Sequence, residues 1–84
     1  MQNDEIKALL EAGIPGSTVE VAGDDGTHFE AVIVSDSFRG INMVQQHQLV
    51  YKALGEKMGR EIHALSIQTY TPEAWEQKRE LRII

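Results

Sequence analysis

The chain has 84 residues, a length that predicts a single domain spanning residues 1–84 with a thin hydrophobic core. Its 42% hydrophobic and 25% charged residues are typical of a folded globular protein. The absence of cysteine excludes disulfides, a self-contained zinc finger and an iron–sulfur cluster held by the chain's own thiolates. Any metal chemistry must therefore use histidines together with ligands from another molecule.

Charge is distributed unevenly along the chain, whose formal net charge is −5. Residues 1–36 hold one basic and eight acidic side chains, net −7, whereas residues 37–84 hold seven basic and five acidic ones, net +2. The overall charge argues against nonspecific nucleic-acid binding, although the C-terminal half could still face an anion. No apolar run approaches the ~18 residues of a membrane span, and the N-terminus lacks a signal-peptide pattern, so a cytoplasmic protein is expected.

The first third of the chain predicts a short helix followed by a hairpin. Apolar residues at helical spacing predict a helix that opens at Asn3 or Asp4 and stops at Gly13. Period-2 alternation then predicts strands over Ser17 to Ala22 and Thr27 to Ser35, joined by a Gly-Asp-Asp-Gly turn.

The second strand should present two different faces. Phe29, Ala31 and Ile33 alternate and should face the core, which sends His28 and Glu30 to the opposite face. His28 is therefore expected to be accessible at the entrance of the strand.

A longer helix is predicted after Gly40. Asn42 can cap it, with Gln45 as the reciprocal partner of a capping box. Its apolar stripe continues until Gly59 and contains Met43, His47, Val50, Leu54 and Met58, with Tyr51 widening it. His47 lies in that stripe and has two interpretations. It is either a core or boundary histidine whose ring makes one hydrogen bond, or a residue that positions a neighbouring metal ligand.

A third strand and a third helix complete the pattern. Ile62 to Tyr70 is rich in β-branched and aromatic residues, with His63 at its start sharing a face with Leu65 and Ile67. Thr71, Pro72 and Glu73 form a strong helix start, and Trp75 should pack this helix against the rest. The order indicates an α+β fold, a three-stranded sheet with helices covering one face.

Catalytic motifs are not evident in the sequence. The acids beside the hairpin turn are typical turn formers, and neither a GxSxG elbow, a GxGxxG loop nor an HExxH zinc motif is present. An enzyme is therefore disfavoured. His28 and His63 could share one rim if their strands are neighbours, but either histidine could equally be structural.

Four ordered motifs resemble the BolA family and cover nearly the whole chain: Phe38-x-Gly40, His47-x-x-Val50-Tyr51-x-x-Leu54, Ile62-His63-Ala64-Leu65-Ser66-Ile67, and Thr71-Pro72-x-x-Trp75. Short length, acidic charge and the His28-Phe29 strand start look similar to the bacterial IbaG branch. The resemblance implies an αββαβα arrangement related to class II KH domains, often with an extra short helix before the long one.

The resemblance also implies a non-enzymatic role in iron–sulfur cluster trafficking or in iron and stress regulation. BolA proteins pair with a monothiol glutaredoxin around a 2Fe-2S cluster that takes thiolates from the glutaredoxin and from glutathione, and its remaining ligands from the BolA partner. The family's C-terminal ligand corresponds to His63. The position of the second family ligand is Asp25 here, so His28, three residues later, is the preferred second ligand, with Asp25 and His47 as alternatives.

A competing family role is transcriptional regulation through DNA binding on the KH-like surface. Gly40-Ile41-Asn42-Met43 lacks the second glycine of a KH loop, and Gln46 stands where many members carry Arg. Phosphate contacts would have to come from five basic residues: Arg39, Lys52, Lys57, Arg60 and Lys78. A third alternative is a protein-interaction module that docks a partner on an exposed helix without metal.

Overall fold

A computed structural model describes residues 2–23, 28–60, 62 and 64–83, the last four as backbone only. Its elements are, in order: α1 (Asn3–Gly13), β1 (Thr18–Ala22), β2 (His28–Val34), a 3₁₀ helix (Asp36–Phe38), α2 (Met43–Leu54), a second 3₁₀ helix (Gly55–Lys57), β3 (Ala64–Tyr70) and α3 (Pro72–Ile83). This order confirms the predicted α+β class, with a short helix before the long one. Residues 24–27 lie outside the described residues; they include three of the four residues of the predicted turn and the predicted strand start at Thr27.

The three strands form one mixed sheet in the order β1-β2-β3. β1 runs antiparallel to β2, so the hairpin prediction is confirmed. β2 runs parallel to β3 over their full lengths, from the pair His28–Ala64 to the pair Val34–Tyr70. Parallel neighbours need a long crossover connection, and here α2 lies within that connection.

The hydrophobic core lies between the sheet and the first two helices. Its buried members are Ile6, Leu10, Ile14, Val19, Phe29, Ala31, Ile33, Phe38, Val50, Leu54 and Ile62. The predicted alternation in β2 is confirmed, because Phe29 is buried while His28 and Glu30 are exposed. Close packing of α1 on α2 requires Gly13, since a Cβ there would lie only 2.4 Å from the Cβ of Ala53.

The expectation that the helices share one face of the sheet holds for α1 and α2, whereas the side-chain contacts that α3 makes with β3 are on the other face. Lys78 contacts Gln68 and Tyr70, which alternate with the buried Thr69 that faces α2. The Trp75 ring packs 5.2 Å from the Tyr70 ring, which confirms that this residue holds the final helix down.

Two predicted boundaries were wrong near the end of α2. The helix ends at Leu54 instead of continuing to Gly59, because Gly55 takes a positive φ of 57° that breaks the α-helical path. The predicted first residue of β3, Ile62, instead forms an isolated bridge with Met58; the strand is described from Ala64, and His63 lies outside the described residues. Met43 and Tyr51, both placed in the predicted apolar stripe, are 57% and 43% exposed.

The start of α2 is fixed by a capping box and by one buried side-chain network. As predicted, the Gln45 backbone N–H donates to Asn42 Oδ1 at 2.8 Å, and the Asn42 N–H donates to Gln45 Oε1 at 3.2 Å. Gln46 Nε2 donates to the carbonyls of Phe38 and Ile41, both at 3.2 Å, while its Oε1 accepts from Thr69 Oγ1 at 2.6 Å. Gln46 thereby connects the crossover loop, α2 and β3.

None of the helices in the described part of the chain combines the length and the apolar composition needed to cross a lipid bilayer.

Replacing Thr69 by Val should lower the free energy of unfolding by about 1–3 kcal/mol, because the half-buried Gln46 Oε1 loses its donor. Urea denaturation followed by circular dichroism measures the change. Ser66→Ala is the matched control on the exposed face of the same strand and should change stability by less than about 0.5 kcal/mol. Equal stabilities of the two variants would contradict a role for the network.

Candidate functional site

The parallel pairing of β2 and β3 brings the first residues of both strands to one edge of the sheet. His28 begins β2, Ala64 begins β3, and these two residues are directly paired. We call this region, with the adjoining end of β1, the entry edge. Ala64 follows His63 in the sequence, so the strand register brings the chain neighbour of the predicted C-terminal ligand beside His28.

An open pocket of about 410 Å³ occupies the entry edge. Its lining consists of Ala22, Gly23, His28, Phe29, Glu30, Ala64 and Ser66. His28 and Glu30 are two residues apart and therefore lie on the same exposed face of β2, and the strand register pairs Glu30 with Ser66. The pocket therefore offers an imidazole, a carboxylate and a hydroxyl on the face that α1 and α2 leave uncovered.

Gly23 determines how closely the end of β1 approaches the start of β2. A Cβ at this position would lie 2.7 Å from the His28 carbonyl oxygen and 2.8 Å from Phe29 Cδ1. Real side chains do not tolerate such distances, so only glycine fits without moving the strand start. Gly23 thus positions the backbone that carries His28.

The structure separates the sequence-predicted ligands into three groups. His28 lies at the entry edge, and His63 and Asp25 lie outside the described residues. His47 is half-buried on α2 and lines a different pocket of about 300 Å³ with Met43, Ile67, Gln68, Thr69 and Tyr70. His28 and His47 are thus on opposite faces of the sheet and are not brought together.

Within the described residues, no group of three or more His, Cys, Asp or Glu side chains is arranged to hold a metal ion. A metal group that used His28 would therefore need ligands beyond this described set.

The five basic residues proposed for nucleic-acid contact are not gathered on one described surface. Lys52 lies on α2, and Lys57 and Arg60 lie in the segment between α2 and β3. Lys78 lies on α3 on the opposite face of the sheet, where its Nζ donates to the Tyr70 hydroxyl at 2.5 Å.

Arg39 is already occupied by two acidic partners. Its Nε donates to Asp36 Oδ1 at 2.8 Å, and its Nη2 donates to Glu73 Oε1. These hydrogen bonds, first that with Asp36 and then that with Glu73, raise the pKa of the guanidinium further above its ordinary value. The ion pairs of Arg39 therefore link the crossover segment to α3, and they leave its positive charge less available to an anion.

Sequence reasoning missed Gly23 and Ser66 as parts of this site. The sequence pattern indicates only a turn residue at Gly23, since a close approach between backbone segments leaves no periodic signal in the sequence. Ser66 became a neighbour of Glu30 through the parallel register, which local alternation does not reveal.

The comparisons with known proteins identify the class of this domain. Residues 11–74 match the family model for BolA-like protein. A bolA protein homologue from Coxiella burnetii has a structure with a TM-score of 0.81 and 44% identity, aligned over 90% of this chain and 97% of that one. The chain belongs to the BolA family.

Three curated relatives carry informative names. Acid stress protein IbaG of Escherichia coli K12 is 39% identical over 82 residues, 96% of either chain. The DNA-binding transcriptional regulator BolA of Haemophilus influenzae is 44% identical over 54 residues, 64% of this chain and 52% of that protein. BolA-like protein 1 of mouse is 34% identical over 87 residues, 93% of this chain, which spans only 64% of the mouse protein's length.

Gly23→Ala should shift the imidazole NMR resonances of His28 and lower the free energy of unfolding by about 1–3 kcal/mol, because the new methyl group overlaps the His28 carbonyl and the Phe29 ring. Two-dimensional NMR and urea denaturation measure the two effects. Thr18→Ser changes an exposed residue at the other end of β1, away from the pocket, and should leave both nearly unchanged. Unshifted His28 resonances in Gly23→Ala would contradict the positioning role.

Proposed function

We propose that this protein is a non-enzymatic partner of a monothiol glutaredoxin and that it co-ligates a 2Fe-2S cluster through His28 and His63. The observation that carries this proposal is the direct pairing of His28 with Ala64 at an exposed, open edge of the sheet. Neighbouring strands lie ~4.8 Å apart, so the residues that begin β2 and β3 are within reach of one small cluster.

The donor chemistry of the chain fits a shared cluster. Imidazole nitrogen is an established ligand of 2Fe-2S iron, and the chain has three histidines and no cysteine. The missing thiolates would come from the glutaredoxin cysteine and from glutathione. When bound, the cluster would supply one-electron redox chemistry or transferable iron and sulfide, at a potential raised by the replacement of thiolate with imidazole.

The surroundings of His28 support access by a docked protein. The residue is exposed, and its pocket is open and lies on the face that α1 and α2 leave uncovered. His47 is less suited, because it is half-buried against β3 on the other face. Asp25 would contribute a hard oxygen donor, which iron–sulfur clusters use less readily than sulfur or imidazole.

The cytoplasmic location expected from the sequence stays a prediction.

Reconstitution with a monothiol glutaredoxin, glutathione, iron and sulfide should yield a brown heterodimer. His63→Ala and His28→Ala should each alter its visible absorption and circular dichroism, because each removes one iron ligand, while the control His47→Ala should leave the spectra unchanged. Thermal stabilities of the isolated variants show whether they remain folded.

Wild-type spectra in both His63→Ala and His28→Ala would contradict cluster ligation by this chain. Titration calorimetry with apo-glutaredoxin separates the alternatives. Equal affinities for apo-glutaredoxin and for the cluster-loaded form would favour a metal-free interaction module.

A second candidate function is regulation through DNA binding. It is favoured by the name of the Haemophilus influenzae relative and by the net charge of +2 over residues 37–84. The dispersed positions of the basic residues and the ion pairs of Arg39 weigh against it. Lys52 and Arg60 are the exposed cations that remain best suited to a phosphate.

If DNA binding occurs, neutralising Lys52 and Arg60 together should weaken binding to a promoter fragment and flatten its salt dependence by ~0.9 for each lost phosphate contact. Fluorescence anisotropy over a salt series measures both. Lys7→Ala on α1 is the matched control for loss of a positive charge. Absent binding at low ionic strength, or equal salt slopes in all variants, would contradict this function.

A further inference from the structure

β3 forms an edge of the sheet and lacks the features that usually protect such an edge. In the part of the chain that the structure describes, β2 is its only partner strand. Its sequence, Ala-Leu-Ser-Ile-Gln-Thr-Tyr, contains neither charge nor proline over seven residues. The opposite edge strand, β1, is shorter and carries Glu20. Long, uncharged edge strands pair readily with a further strand.

One hydrogen bond shows which backbone groups of β3 point to the open side. The Ser35 N–H donates to the Tyr70 carbonyl at 3.0 Å, so the backbone groups of Tyr70 point toward the β2 side. Backbone groups of successive strand residues alternate in direction. The N–H and C=O groups of Leu65, Ile67 and Thr69 therefore point toward the open edge.

The helix beside this edge carries an exposed apolar surface. Among the side chains that the structure describes, the exposed large hydrophobic ones are Met43 (57%), Val44 (65%) and Tyr51 (43%), all on α2. Met43 lies beside β3, with its Sδ 3.5 Å from Thr69 Oγ1. Tyr51 lies eight residues, or about two helical turns, further along α2. We call the outer edge of β3 together with these three side chains the β3–α2 surface. Exposed apolar surfaces of this kind mark interaction sites.

Charge indicates what can cover the β3–α2 surface. The chain as a whole carries −5, yet α2 and β3 contain no Asp or Glu, and Lys52 is their only formal charge. Two copies of an acidic chain repel each other least where carboxylates are absent. A second copy can therefore approach this surface without meeting a carboxylate of α2 or β3.

We propose that two copies of this protein associate through the β3–α2 surface, with their β3 strands antiparallel about a twofold axis at Ile67. This symmetry pairs Ile67 with its own counterpart and Leu65 with Thr69 of the second copy, so that every outward backbone group meets a partner. Because the axis is perpendicular to the sheet, the two α2 helices lie on the same face. The exposed Met43, Val44 and Tyr51 of the two copies then cover one another.

The size of the surface predicts a weak dimer. A seven-residue strand is about 23 Å long, and a helix beside it adds about 10 Å of width. The buried area per copy is thus a few hundred Å², below the ~800 Å² of a standard stable complex. Association should therefore depend steeply on concentration and should occur without any metal.

Sedimentation equilibrium of the metal-free full chain up to millimolar concentration tests this dimer. The average mass should rise toward twice that of the monomer, and Val44→Lys should weaken association about tenfold or more, because it places a charge between the two helices. Ala12→Lys adds the same charge to an exposed site on α1 and should leave association unchanged. Tyr51→Lys is the second interface variant if Val44→Lys does not fold.

Amide hydrogen exchange followed by NMR locates the interface. Exchange of the Leu65, Ile67 and Thr69 amides should slow as concentration rises, while that of Ser66 and Gln68 should not change, because those two already point toward β2. A monomeric mass at every concentration, an unchanged dimer in both interface variants, or equal weakening by Ala12→Lys would each overturn the proposal. Protection of these amides only on adding apo-glutaredoxin would also overturn it and would assign the surface to that partner.

Discussion

The parallel pairing of β2 with β3 is the constraint on which the rest of this structure depends. It places the starts of both strands at one edge, and it therefore sets His28 beside Ala64. Parallel strands cannot be joined by a tight turn, so the chain must cross over, and α2 occupies that crossover. Gln46 stabilises the crossover by binding the carbonyls of Phe38 and Ile41 while accepting from Thr69. The positions of the site and of the core thus both follow from the parallel pairing of β2 with β3.

The two faces of the sheet take separate roles. One face is buried under α1 and α2 and holds the hydrophobic core, as expected for a domain whose apolar surface is limited. The other face remains open near the start of β2, where Glu30, Ser66 and His28 line a pocket. A domain this small has little volume for an enclosed active site, so a site at an exposed edge is the chemically reasonable arrangement.

Local signals predicted most of the fold. Caps at Asn42 and Thr71 act over three or four residues, and both are present as expected. The alternation in β2 correctly separated Phe29 from His28. The end of α2 was misplaced because two glycines, Gly55 and Gly59, both suit a helix stop. Both take a positive φ in the structure, and α2 ends at the first of them. The sequence pattern does not predict the exposure of Met43, because helical periodicity shows which side of a helix is apolar but not how much of that side the sheet covers.

The sequence by itself determined the element order, the family and the absence of thiol ligands, since these follow from residue identity and from contacts within a few residues. Tertiary structure alone decided which strands are neighbours and in what register. It brought Ala64 next to His28, put His47 on the opposite face, and joined Arg39 to Glu73. Long-range pairing results from the burial of one shared core, and no local pattern of residues encodes the distance between segments that are far apart in the chain.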